Sequence, residues 1–175
     1  MAQTKTKIVL DADVVIHFMK GDCFTLLLDL FPEYQYLILD IVYDELAQNV
    51  QTKTFIDNIT AFMPRKLQKI PFKPSGTAML EYARLICKLG KGESASMVYC
   101  HENQDVLGSS NLRDIKAYCT SHGITYLTTL DFLYYAYVRK KLTKEECDEF
   151  IQKVISKGSK LPVTDISKYV CSVVI

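Results

Sequence analysis

Short apolar runs alternate along this chain with longer stretches whose apolar residues recur every three or four positions. Lys7-Ile8-Val9-Leu10 is a run of the first kind and ends at Asp11. It predicts a buried strand with a carboxylate at its carboxyl end. Val14, Val15, Phe18 and Met19 follow at helical spacing, and Gly21 predicts the stop. Cys23 to Phe31 predicts a second helix, ended by Pro32, and Tyr36 to Leu39 predicts a second strand. Asp40 reads as the cap of a helix from about Ile41 that carries Val42, Glu45 and Leu46. Thr54 to Phe62 predicts another helix, with Phe55, Ile59 and Phe62 on one side.

Met63 to Ser75 interrupts this pattern. It holds Pro64, Pro71 and Pro74 with Arg65, Lys66, Lys69 and Lys73, and predicts an irregular connection with a short strand at 69–72. Ser75 caps a predicted helix over 78–89, whose buried face is Met79, Leu80, Ala83, Ile86 and Cys87. Gly90 stops it, and Gly92 leads into a helix from Glu93 to about Glu102. Strands at 105–109 and 124–128 bracket a helix from Leu112 to His122 that Gly123 ends. Helices over 131–140 and 144–156 follow, and Tyr169 to Ile175 predicts an added edge strand. Strands alternating with helices predict an α/β fold, a mainly parallel sheet with helices on both faces. Residues 1–157 read as the domain and 158–175 as a C-terminal extension.

Composition narrows the class. Of 175 residues, 49% are hydrophobic and 23% charged, which excludes wholesale disorder. Lys+Arg number 21 against 20 Asp+Glu, so bulk charge argues against a polyanion-coating protein but leaves room for a local basic patch. No run approaches the roughly 20 apolar residues of a membrane span. The segment from Met1 to Lys7 lacks the apolar core of a signal peptide, so the expected compartment is the cytoplasm. Six cysteines without a C-x-x-C pair read as buried free thiols in a reducing environment. His17, His101 and His122 show no ligand spacing and read as structural or surface residues.

In a parallel sheet the active site lies at the carboxyl ends of the strands. That edge would gather Asp11 and Asp13, Glu45, Glu93, the run Ser109-Ser110-Asn111 with Asp114, and Asp131. Two unit charges about 4 Å apart interact by roughly 4 kcal/mol at an effective dielectric of 20, so such a cluster needs protons or a cation. All-oxygen ligation suits Mg²⁺ or Mn²⁺, and a hard divalent ion facing a phosphodiester is a hydrolytic arrangement. Capping competes for Asp40, Glu93 and Asp131, since acids settle at helix N-termini. Asp11 is different, because an acid ending an apolar run caps poorly and is costly to bury unpaired.

The order of these motifs resembles the PIN-domain family of metal-dependent ribonucleases. The pieces that carry it are Ile8-Val9-Leu10-Asp11-Ala12-Asp13, Val42-Tyr43-Asp44-Glu45-Leu46, Gly90-Lys91-Gly92-Glu93-Ser94-Ala95-Ser96, the strand at Val106-Leu107, and His122-Gly123-Ile124-Thr125-Tyr126-Leu127-Thr128-Thr129-Leu130. The closing pieces are similar to bacterial toxin-type members, and the resemblance spans about residues 7–157. It implies an α/β/α domain with an acidic Mg²⁺ or Mn²⁺ site that cleaves RNA. Asp11, Glu45 and Glu93 match the first three acids, as metal and catalytic residues, and Asp131 matches a looser acidic position after the last strand. At the fourth position the family places an Asp where this chain has Ser110 or Asn111, with Asp114 a turn later.

Two readings follow from that departure. In one, Asp11, Glu45 and Glu93 hold a cation with Asp13, Ser110, Asn111 or Asp114 in support. In the other, the domain is degenerate and binds nucleic acid or a protein without cutting. Arg65, Lys66, Lys69 and Arg113 are expected phosphate contacts, against a reading as solvated surface charge. Arg139, Lys140 and Lys141 carry the same alternative, while Tyr134, Tyr135 and Tyr137 read as core in preference to platforms for stacked bases. The resemblance also implies an antitoxin partner, and edge pairing through 169–175 is an expected homodimer route.

Overall fold

The computed structural model describes residues 6–175; the Met1–Lys5 part of the signal-peptide reading lies outside it. β1 (Lys7–Leu10) leads to α1 (Ala12–Lys20) and α2 (Phe24–Leu30), then β2 (Gln35–Leu39), α3 (Asp40–Leu46) and α4 (Val50–Phe62). β3 (Leu67–Ile70), α5 (Gly76–Leu85) and α6 (Lys91–Asn103) follow, then β4 (Val106–Gly108), α7 (Leu112–His122), β5 (Tyr126–Leu127), α8 (Thr129–Val138) and α9 (Lys144–Ser156). All strand pairs are parallel, in the order β3-β2-β1-β4-β5. The strand expected in the proline-rich connection exists, shifted to 67–70, and forms one edge of the sheet.

Helices cover the sheet in two groups. α1, α2, α8 and α9 pack on one another, as do α3, α5, α6 and α7. The first group closes over an aromatic cluster in which Phe18 meets Phe132 and Phe150, and Phe31 meets Phe132 and Tyr135. Gly21 is required there by close approach: an added Cβ would sit 2.2 Å from the Phe150 ring. α6 is buried nearly all round from Gly92 to Val98, and its small residues Gly92, Ser94, Ala95 and Ser96 let it lie close to the strands. Among the described residues, no helix is long and apolar enough to cross a membrane.

Two expectations are corrected. The face predicted for α5 points outward: Met79 and Leu80 are 48% and 61% exposed, and Ile86 and Cys87 are exposed too. Ala78, Tyr82 and Leu85 turn inward instead, with Tyr82 edge-on to Phe72. A helix bearing two apolar stripes buries the one its neighbour can accept. The second correction is that Tyr169–Ile175 forms no strand. That tail runs along α8, where the Tyr135 hydroxyl donates to the Val173 carbonyl at 2.7 Å, so the expected edge-paired dimer has no strand to use. The buried-thiol reading holds for Cys100, Cys119 and Cys147, whereas Cys87 is exposed.

Candidate active site

The chain winds outward from β1 through β2 to β3, then returns to β4 on the other side of β1. This reversal opens a crevice beyond the carboxyl ends of β1 and β4, where open α/β sheets bind ligands. Asp11 leaves β1 there and N-caps α1, its Oδ1 accepting from the Ala12 N–H at 2.9 Å and its Oδ2 from the Ser109 hydroxyl at 3.2 Å. Asp13 accepts from the N–H of Val14 at 2.6 Å and from the N–H of Ser110 at 2.7 Å. The first turn of α7 holds Asp114, whose Oδ2 accepts from the Asn111 amide at 2.8 Å.

Glu93 opens α6, where the helix N-terminus favours a negative charge. Glu45 reaches it from α3: its Oε1 accepts from the Gly92 N–H at 2.9 Å. A Cβ at Gly92 would stand 2.8 Å from one Glu45 oxygen and 2.9 Å from the other. The glycine before Glu93 is therefore the space into which the Glu45 carboxylate fits.

Burial and mutual repulsion act on this group together. Burial, then the charge of Asp13, and further that of Glu93, pushes Asp11 up to about 8, against opposing hydrogen bonds from Ala12 and Ser109. Burial also raises Asp13. Glu93 rises to about 7 through burial and then the charge of Asp114. Among the described residues, none of Asp11, Asp13, Glu45 and Glu93 forms an ion pair. Among those residues also, no three of these carboxylates bring oxygens within 4.8 Å of one another, as expected for like charges that repel. An oxygen-only, electron-rich pocket of this kind fits a hard divalent ion that retains waters.

Not every expected residue belongs here. Asp131 forms a capping box with Thr128, its Oδ2 accepting from the Thr128 N–H and hydroxyl, both at 2.8 Å. Its Oδ1 accepts from the Tyr169 hydroxyl at 2.7 Å. Both oxygens are committed, so the capping role displaces the catalytic one. Asp131→Ala is expected to lower stability by about 1–3 kcal/mol, the cost of leaving buried Thr128 and Tyr169 donors without their acceptor. Thermal melts of the variant beside the parent check it.

Ser110 positions rather than ligates: its hydroxyl accepts from the Thr129 N–H and bonds the Thr129 hydroxyl, both at 2.8 Å. That hydroxyl also meets His17 Nδ1 at 2.8 Å, and burial, then the charge of Lys20, holds His17 down near 4 and neutral.

The basic residues divide. Arg65 and Lys66 precede β3, at the amino end of the sheet, and Lys66 pairs with Asp29. They stand at the wrong edge to serve a substrate held by the acids. Lys69 is further along β3, with its ammonium 3.8 Å from the Tyr43 ring centroid. Arg113 is 90% exposed beside Asp114, at 3.1 Å. Lys91, unassigned from sequence, lines with Ile41, Gln48, Tyr82 and Ile86 an open depression of about 630 Å³ beside Glu45. Its signal was its place within Gly90-Lys91-Gly92-Glu93. Arg139 is structural: it stacks 4.5 Å over Phe31 and bonds the Leu30 carbonyl.

No family model and no curated protein matches the sequence. Solved structures do match the fold. VapBC2 from Rickettsia felis, bound to a DNA fragment from its promoter, aligns at a TM-score of 0.53 and 15% identity, over 70% of this chain and 98% of that one. VapBC-1 from nontypeable Haemophilus influenzae aligns at 0.53 and 14% identity, over 71% and 98%. These are toxin–antitoxin structures whose VapC component is a PIN domain, and the likeness in fold agrees with the motif order read from the sequence.

Proposed function

We propose that this chain is a Mg²⁺- or Mn²⁺-dependent endoribonuclease of the PIN type, the cytoplasmic toxin of a toxin–antitoxin pair. The observation that carries the proposal is the crevice of carboxylates, buried Asp11 and Glu93 with half-buried Asp13, without a basic partner. Asp11, Glu45 and Glu93 would hold the cation. The cation supplies Lewis-acid stabilisation of phosphoryl charge and activation of water. Asp13 fixes the β4–α7 turn through the Ser110 N–H, which sets Asn111 and Asp114 facing Glu93. Arg113 and Lys91 stand at the rim, where cations hold an RNA backbone.

Asp114 favours the catalytic over the degenerate reading. Its charge is the largest influence on Glu93 after burial, so a fourth carboxylate acts on the crevice although Ser110 and Asn111 replace the usual acid. Likeness to toxin–antitoxin structures supports an antitoxin partner. Ile86, just past the end of α5 and exposed in the wall of the depression, is what a blocking segment would cover.

The test is Mn²⁺-dependent cleavage of a mixed single-stranded RNA pool by the parent, Asp11→Asn and Glu93→Gln. Cleavage that chelator and both substitutions abolish is the expected result. Cleavage indifferent to the substitutions, or none by the parent with no Mn²⁺ bound, overturns it.

A further inference from the structure

Away from the acid crevice, three helices bring together Glu81, His101 and His122. Glu81 lies on α5, His101 in the last turn of α6 and His122 at the end of α7. One carboxylate oxygen and one nitrogen of each ring all fall within 4.8 Å of one another, and all three side chains are half-buried. His101 Nδ1 is 3.3 Å from Glu81 Oε2, and His122 Nε2 is 3.2 Å from Glu81 Oε1. The two imidazole centroids are 4.4 Å apart. Glu93 is eight residues from His101 along α6, about 12 Å at the helical rise, so this group is separate from the crevice.

The hydrogen bonding prepares His122 Nε2 as a ligand. His122 Nδ1 lies 2.9 Å from the Tyr118 carbonyl, which only accepts, and 2.9 Å from the Ser121 hydroxyl, which donates to that same carbonyl, so the nitrogen carries the proton. In the neutral ring Nε2 then presents its lone pair toward Glu81, an acceptor facing an acceptor. A ring N–H given to a backbone carbonyl is how metal-ligating imidazoles are commonly oriented. The distances agree. A charge-assisted hydrogen bond would draw N and O to about 2.7–2.9 Å. The observed 3.3 Å from His101 Nδ1 to Glu81 Oε2 and 3.2 Å from His122 Nε2 to Glu81 Oε1 are both longer, so the carboxylate stands near both rings without a charge-assisted bond to either.

We propose that Glu81, His101 and His122 form a transition-metal site of the Zn²⁺ class, separate from the acidic crevice, that fastens α5 to α6 and α7. Two imidazoles and a carboxylate supply three ligands, and water completes the fourth position. Nitrogen donors select Zn²⁺ or Co²⁺ over the Mg²⁺ and Mn²⁺ that suit the crevice. The site secures a helix with little else to hold it. Only Ala78 of α5 is fully buried, while Tyr82 and Ile86 form one wall of the depression beside Glu45. Sequence spacing hides the group because each ligand comes from a different helix.

The experiment uses the full chain carrying Asp11→Asn and Glu93→Gln, so that the crevice cannot report. Metal-free protein is titrated with Co²⁺, and then with Zn²⁺, by visible absorption and calorimetry. One equivalent with a four-coordinate Co²⁺ spectrum, displaced by Zn²⁺, is expected. A Zn²⁺-dependent rise in melting temperature should accompany it. His101→Gln and His122→Gln, added singly, are expected to lower affinity by more than about 100-fold, beyond the loss of an outer-shell partner, and to remove that rise. Zinc-edge X-ray absorption of the His101- and His122-bearing protein reads the ligands without relying on a variant that folds. Two imidazole nitrogens support the site. Oxygen-only coordination, no binding, or a stoichiometry unchanged in folded histidine variants overturns it.

Discussion

Asp11→Asn is expected to abolish cleavage while making the metal-free protein more stable at pH 8. Asp11 is 6% exposed, and its carboxyl is raised from 3.8 to about 8 in the folded chain, by burial first and then by the charge of Asp13. A carboxyl whose folded pKa is raised costs nothing below its unfolded value. The cost grows as pH climbs from about 4 toward 8, because the folded chain must ionise a group it prefers protonated. Each pKa unit is worth about 1.4 kcal/mol, so the substitution is expected to add about 2–4 kcal/mol at pH 8. Asparagine keeps the bond from the Ala12 N–H and can donate to the Ser109 hydroxyl, so the α1 cap survives. Chemical denaturation from pH 5 to 8 should show stability falling in the metal-free parent and falling less steeply in the variant, where burial still raises Glu93 and Asp13. Mn²⁺ should restore the parent and leave the variant unmoved. Loss of a cation ligand is expected to cost about 10³-fold in cleavage, near 4 kcal/mol of transition-state stabilisation. A variant no more stable than the parent at pH 8 would contradict the buried-charge account. A variant that still cleaves would remove Asp11 from the metal set.

Gly92→Ala is the second large effect, and it separates function from stability in a different way. Alanine is the better helix former by about 1 kcal/mol, so on propensity alone the substitution should help folding. Its Cβ would stand 2.8 and 2.9 Å from the Glu45 oxygens, the flexible end of a side chain that can move away. Glu45 then loses its seat on the Gly92 N–H and swings out of the crevice. Misplacing one active-site group by about 1 Å can cost about 100-fold, and a loss of about 10–100-fold in cleavage is expected here. Melting temperature should stay level or rise slightly. Parallel measurement of Mn²⁺ affinity and cleavage rate decides it, since an unchanged affinity and rate would place Glu45 outside the cation's reach.

Helix propensity, capping and periodicity are local quantities, and they made most elements legible. Asp11 was readable as the acid at the end of β1, but the expectation that it would cap poorly is corrected, since it N-caps α1 through the Ala12 N–H while its other oxygen faces the crevice at Ser109. Asp131 was not. Its Thr128-Thr129-Leu130-Asp131 context suits both a capping box and a loosely placed catalytic acid, and only the Tyr169 hydroxyl and the Thr128 N–H distinguish them. Arg65 and Lys66 misled for a related reason: charge is visible along the chain, but the end of the strand it flanks is known only once β3 is placed.

From sequence alone came the alternation of strand and helix, the α/β class, and acids delivered to strand ends, since each depends on neighbours a few residues apart. The tertiary structure decided which strands adjoin, and so that Asp11 and Asp13 face the Ser109–Asp114 turn across the β1–β4 switch. It also decided which stripe of α5 is buried and that Glu81, His101 and His122 meet. These are outcomes of long-range packing, in which side chains from distant segments compete for one volume, and local periodicity carries no record of that competition.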